Sequence, residues 1–143
     1  DIGVSMAPPL IRAVKTCLSS GVPAILDAPP GTSCPVIATL REVDFVVFVT
    51  EPTPFGLHDL KLAVEMIREL GLPFGVVVNR VGVGDDRVHA YCAGQGISVL
   101  VEIPDDRRIA EAYSRGKLIV DALPEYRPVF ETLIQKIRKG IPV

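Results

Sequence analysis

Four places in this sequence put polar or acidic residues directly after a short apolar run, and each is followed by proline or glycine. Asp27-Ala-Pro-Pro-Gly31-Thr-Ser-Cys34-Pro35 follows residues 22–26, and Thr50-Glu51-Pro-Thr-Pro-Phe-Gly56 follows residues 45–49. Asn79-Arg80 follows residues 74–78, and Glu102-Ile-Pro104-Asp105-Asp106 follows residues 97–101. A carboxylate such as Asp27 can hold Mg2+ directly or through water. Gly31, with no side chain in the way, can bring its backbone N–H against a phosphate oxygen. An aspartate before Pro-Pro-Gly equally suits a plain turn. Other reactive side chains are sparse. The three cysteines, Cys17, Cys34 and Cys92, are odd in number and widely spaced, and His58 and His89 stand apart from them. A disulfide framework is not expected from this usage, nor is a zinc site built from this chain alone. A reducing compartment, the cytoplasm, is the expected location.

The elements that must position these residues are legible as alternation. The runs at 22–26 (VPAIL), 45–49 (FVVFV), 74–78 (FGVVV) and 97–101 (ISVLV) are apolar nearly throughout, and three are rich in β-branched residues. That pattern predicts strands covered on both faces, as in a parallel sheet. Helical periodicity fills the gaps, at 8–20, 56–70, 85–93, 105–114 and 124–139. Cys34, beside Pro35, reads as the start of one more helix. The predicted fold is therefore α/β, a parallel sheet flanked by helices with right-handed crossovers. In such sheets, ligands bind beyond the carboxyl ends of the strands, which is where the four polar segments fall.

Composition narrows the function classes. The chain has 143 residues, 48% of them apolar and 22% charged, so it is neither a disordered tail nor a polyelectrolyte. Its formal net charge of −2 supplies no field to recruit nucleic acid or anionic lipid. No apolar run approaches the roughly 18 residues of a membrane span. The last helix has few basic residues and the chain no Trp, which argues against membrane targeting. The chain opens on DIGVS, without an initiator Met or the pattern of a signal peptide, and is read as a piece of something longer.

Taken together, DAPPGTSCP, VTEPTPFGLHDL, VVNR and IPDDRRIAEAYSRG resemble the second half of a MinD/ParA-type P-loop ATPase. More narrowly, they resemble the CobQ/CobB/MinD/ParA nucleotide-binding proteins that carry an inserted ferredoxin domain. The resemblance covers nearly the whole chain in the right order, and VTEPTPFGLHDL is its most specific part. It implies a role for each matching position. Asp27 corresponds to the Walker B-like aspartate that orients Mg2+ and its water. Pro29, Pro30 and Gly31 correspond to the switch loop that senses the γ-phosphate. Asn79, with Arg80 beside it, corresponds to the asparagine at the adenine edge, where an amide offers both donor and acceptor. Pro104 and Asp105 correspond to the loop packed beside the adenine. Thr50 and Glu51 fall where related dimeric ATPases approach the nucleotide or the partner subunit. ATP and Mg2+ are thus the implied ligands, and a homodimer through the nucleotide face the implied assembly.

One departure matters most. Phosphoryl transfer in this class needs a glycine-rich loop with a lysine. None of Lys15, Lys61, Lys117, Lys136 and Lys139 follows such a loop. In the family that loop lies upstream, as do the cysteines of the ferredoxin insert that hold 4Fe–4S clusters. The chain, 1–143, is therefore read as a single partial domain, the C-terminal part of the nucleotide-binding fold. Its expected partner is an N-terminal half carrying the phosphate loop and the insert, and alone it is expected to be inactive. The strand bearing that loop would lie between the strands at 22–26 and 45–49, so open strand edges are expected here. Cys34 follows Asp27 by seven positions, the offset of a cluster-ligating cysteine in the related nitrogenase iron protein. By that analogy it is a candidate for a shared cluster or a thiol reaction; a small residue at a helix start is the plain alternative. Two other functions remain open: an interaction domain whose nucleotide site another chain completes, and a fragment of a CobQ/CobB-type ATP-dependent ligase.

Overall fold

The computed structural model describes residues 11, 13, 15–17 and 21–140. The chain divides into two compact units, Asp1–Val43 and Asp44–Val143.

In the second unit, β1 (Val46–Thr50), β2 (Phe74–Val81) and β3 (Val99–Pro104) form a parallel sheet in the order β1-β2-β3. Val46 to Thr50 pair in register with Phe74 to Val78. Val76 pairs with Val99, Val78 with Glu102 and Val81 with Pro104, with two register shifts along the way. The middle strand is covered on both faces, as its unbroken apolar run predicts. Leu60 and Val64 from one helix and Val88 and Cys92 from another pack on Val76 and Val78. Val129, Leu133 and Ile137 pack from the opposite side on Val77, Leu100 and Val101. Val76, Val77 and Val78 in the middle strand are at most 2% exposed, and burying each contributes about 1.5–3 kcal/mol.

The helices lie close to their predicted places, and their ends have local causes. α2 (Pro54–Leu70) starts two residues earlier than the periodicity indicates, because the Thr53 side chain accepts from the Gly56 N–H at 3.1 Å and Pro54 takes the first helical position. Asp59 consequently sits in the second turn. Gly71 ends the helix in the left-handed conformation. α3 (Arg87–Gly94), α4 (Arg107–Ser114) and α6 (Arg127–Gly140) match three further predicted segments, and a short α5 (Ile119–Ala122) and a 3-10 turn (Pro124–Tyr126) join the last two. Lys136 does not serve the helix end. Its ammonium donates to the Leu100 carbonyl at 2.5 Å, on the outer strand β3, which blunts that edge. β1 is the other edge, and its Val49 is 65% exposed.

In the first unit, α1 (Cys34–Leu40) buries Val36, Thr39 and Leu40. The helix predicted at 8–20 lies mostly outside the described residues. The strand predicted at 22–26 does not form: the segment has no regular structure, Val22 is 63% exposed and Ile25 98%. An apolar run becomes a strand only where a neighbour accepts its backbone hydrogen bonds, and no described strand pairs with it. Among the described residues no helix is long and apolar enough to cross a membrane.

Candidate functional site

Three strand ends meet at one edge of the sheet, and polar residues of all three are found there. β2 runs on to Val81, so Asn79 and Arg80 belong to its last turn of pleat rather than to the loop beyond, because Pro104 of β3 still pairs with Val81. Arg80 Nε donates to Asp105 Oδ1 at 2.9 Å, and its Nη1 reaches the two carboxylate oxygens of Glu51 at 3.5 and 3.4 Å. The Asp105 N–H donates to the Val81 carbonyl at 2.9 Å. Glu51, Arg80 and Asp105 were each singled out from sequence, and the fold joins them. Asn79, next to Arg80 in the chain, is half-buried, and Pro104 is exposed. Arg80 has a φ of 56°, a left-handed conformation costing a non-glycine residue about 1–2 kcal/mol.

The loops beneath are tightly built. Thr50 is buried, and its hydroxyl donates to the Gly56 carbonyl at 3.0 Å. It therefore fastens the loop and is not free for a ligand. The Asp85 N–H donates to the Pro52 carbonyl at 3.1 Å, and Gly84 at φ 98° lies so close to that carbonyl that no Cβ fits. Sequence reading passed over Pro52 and Gly84. The only available signal was the second glycine of Gly82-Val-Gly84.

A second missed residue organises the next helix. Asp106 caps α4, accepting from the Arg108 N–H at 2.9 Å. It also accepts from the Arg108 guanidinium, at 2.6 Å from Nη2, and from the Tyr126 hydroxyl at 2.8 Å. Arg108 continues to Glu125 at 2.9 Å, while Arg107 pairs with Glu111 at 3.0 Å. The Arg108 side-chain bonds, then its backbone N–H, then Tyr126 hold the Asp106 carboxyl well below the usual carboxylate range. A carboxyl depressed in the folded state stabilises above its unfolded value, near 4, and loses that contribution as pH falls through the folded value. Asp106→Asn is therefore expected to lower the melting temperature at pH 7, with the gap to wild type shrinking as pH falls below about 4. Thermal melts of both proteins between pH 7 and pH 2 check this; a gap independent of pH would contradict it.

Asp27, Pro30, Gly31 and Cys34 belong to the first unit. All four are exposed, and Gly31 is left-handed at φ 92°. Cys34 begins α1, followed by Pro35, as expected. Among the described residues no three His, Cys, Asp or Glu side chains gather as a metal site. Asp27 thus fits Mg2+ only as one oxygen in a shell otherwise made of water and nucleotide phosphate. Cys34 would supply one of the four thiolates that a 4Fe–4S cluster takes. Cys17 and Cys34 are exposed, and Cys92 is buried. Burial pushes the Cys92 thiol up, so a thiol reagent at pH 8 is expected to modify Cys17 and Cys34 at least about a hundredfold faster. Mass mapping of the labelled peptides checks the order.

No protein-family model matches the chain. An uncharacterized protein of Methanocaldococcus jannaschii is 38% identical over 93 residues, 65% of this chain and 31% of its own length. The iron-sulfur cluster carrier protein of Aquifex aeolicus is 31% identical over 116 residues, 71% of this chain and 32% of that protein. The chain thus spans about a third of the length of these two relatives. Among solved structures, the cell division ATPase MinD of Pyrococcus furiosus superposes with a TM-score of 0.70 at 24% identity, covering 94% of this chain and 57% of that one. The septum site-determining protein MinD of Pyrococcus horikoshii, complexed with Mg-ADP, gives 0.69 at 24% identity, over 92% and 55%. Parallel sheet, flanking helices and these superpositions together show that the chain has the MinD/ParA-type P-loop fold.

Proposed function

We propose that this chain is the base-binding part of a MinD-like ATPase coupled to iron–sulfur or electron-transfer chemistry. The observation that carries the reading is the meeting of Glu51, Asn79, Arg80 and Asp105 at the carboxyl ends of adjacent parallel strands. Ligands of open α/β sheets bind there. Asn79 offers the donor and acceptor that an adenine edge requires, with Pro104 and Asp105 beside it. Asp27 is the proposed carboxylate on the magnesium side, with Pro30 and Gly31 as the loop that responds to the γ-phosphate. When bound, Mg2+ would neutralise phosphate charge. The phosphate loop, its lysine and the 4Fe–4S clusters are assigned to the rest of a longer protein, which fits the share of the relatives that this chain spans. Resemblance to iron-sulfur cluster carrier proteins supports the link to cluster chemistry. A homodimer through the nucleotide face is the proposed assembly, in the cytoplasm.

Without a phosphate loop, little transition-state stabilisation remains, so the chain alone is expected to release no phosphate from ATP above background. The binding test is a titration of the chain with a fluorescent adenine nucleotide. Asn79→Ala is expected to weaken binding by about tenfold, the loss of about 1.4 kcal/mol of hydrogen bonding to the base. Equal affinity for variant and wild type would remove Asn79 from the site. β1, the outer strand of the described sheet, also favours a second reading, in which a separate chain supplies a further strand. Co-purification of a partner carrying a phosphate loop would select it.

A further inference from the structure

Arg80, near the end of β2, is held by two carboxylates that lie just past the ends of β1 and β3, and this arrangement decides what it can do. Its guanidinium is committed to Asp105 at 2.9 Å and to Glu51 at 3.4 Å. Charge already balanced by two anions is a poor receptor for a phosphate. The three side chains are 41–48% exposed, and exposed pairs contribute little to global stability. Yet the backbone at Arg80 is left-handed, where glycine is at home. Strain kept at a sheet edge without a stability gain points to placement. The turn at Arg80 is closed by the Val83 N–H on the Arg80 carbonyl at 3.1 Å, and the Asp105 amide is tied to Val81. Turn, guanidinium and amide thus join the ends of β1, β2 and β3 around Asn79.

We propose that Arg80 is a positioning residue, a strut that fixes the Glu51 and Asp105 loops relative to Asn79 and thereby sets the preference for adenine over other bases. This rests on the nucleotide reading above. Lysine cannot replace it, because one ammonium does not span two carboxylates in a fixed fork. Glycine would relieve the strain and still remove the strut.

The test uses the full chain with Arg80→Gln, Arg80→Gly and Arg80→Lys. Three quantities are measured: melting temperature, amide hydrogen exchange without nucleotide, and affinity for ADP against GDP. All variants are expected to melt within about 3 °C of wild type, with Arg80→Gly at or above it. Exchange at the amides of Thr53, which donates to the Glu51 carbonyl at 2.8 Å, and Asp105, which donates to the Val81 carbonyl at 2.9 Å, is expected to rise about tenfold in the Gln and Gly variants. Their ADP-to-GDP preference is expected to fall at least about fivefold, with Lys giving only partial rescue. Unchanged exchange overturns the strut, whatever the nucleotide does. Faster exchange with an unchanged base preference overturns the link to selectivity and leaves the nucleotide reading standing. A wild-type chain that binds neither nucleotide refutes the nucleotide reading and the selectivity role together, and exchange still decides the strut.

Discussion

Gly84→Ala is expected to destabilise the second unit by more than about 2 kcal/mol and to loosen the strand-end site with it. Two costs combine. A φ of 98° suits only glycine, and a Cβ built there runs into the Pro52 carbonyl. The obstacle is backbone of a buried proline, which also accepts the Asp85 N–H, so relief requires the loops after β1 and β2 to part. Glu51 adjoins Pro52, so the Arg80 bridge should open as the loops separate. Gly82 supplies the control. It is equally left-handed at φ 104°, with nothing within 4 Å of a Cβ. Gly82→Ala should therefore show the conformational cost alone. Urea unfolding of both variants separates the two costs, and equal midpoints would mean that the Pro52 contact is not felt.

Leu60→Ala is expected to cost about 2–5 kcal/mol. Leu60 is 3% exposed and belongs to the cluster that joins α2 and α3 to Val76 and Val78. Its truncation leaves a cavity under the middle strand, in packing too dense to collapse around it. A domain has only about 5–15 kcal/mol of net stability, so this is a large share. Leu62, two positions along the same helix, is 44% exposed, and Leu62→Ala should change stability by no more than about 0.5 kcal/mol. Denaturant unfolding of the pair tests the burial pattern directly; similar losses would contradict it.

What was legible in the sequence followed from period and punctuation. The runs at 45–49, 74–78 and 97–101 became three parallel strands because each finds a neighbour. The run at 22–26 carries the same apolar signal and stays unpaired. Composition records what a segment can bury, not whether a partner strand is at hand. Glu51, Arg80 and Asp105 were found because they end apolar runs. Their mutual ion pairs could not be read, because they depend on register and on the left-handed turn at Arg80, which no residue type announces. Asp106 escaped for a related reason. Asp105 and Asp106 are adjacent and chemically alike, and only the helix start at Arg107 makes one a cap and leaves the other to Arg80. Cys34 stands at its predicted helix start, yet a helix start does not supply the further ligands a cluster needs.

The central claim is that an adenine nucleotide sits at the carboxyl ends of β1, β2 and β3. It is tested most directly by recording amide chemical shifts of the chain while adding Mg-ADP to millimolar excess, which detects even weak binding. The account predicts saturable shifts at Glu51, Asn79, Arg80 and Asp105, absent from the Asn79→Ala variant. Shifts confined to the opposite end of the sheet, near Phe74 and Val99, or no shifts at all, would contradict it.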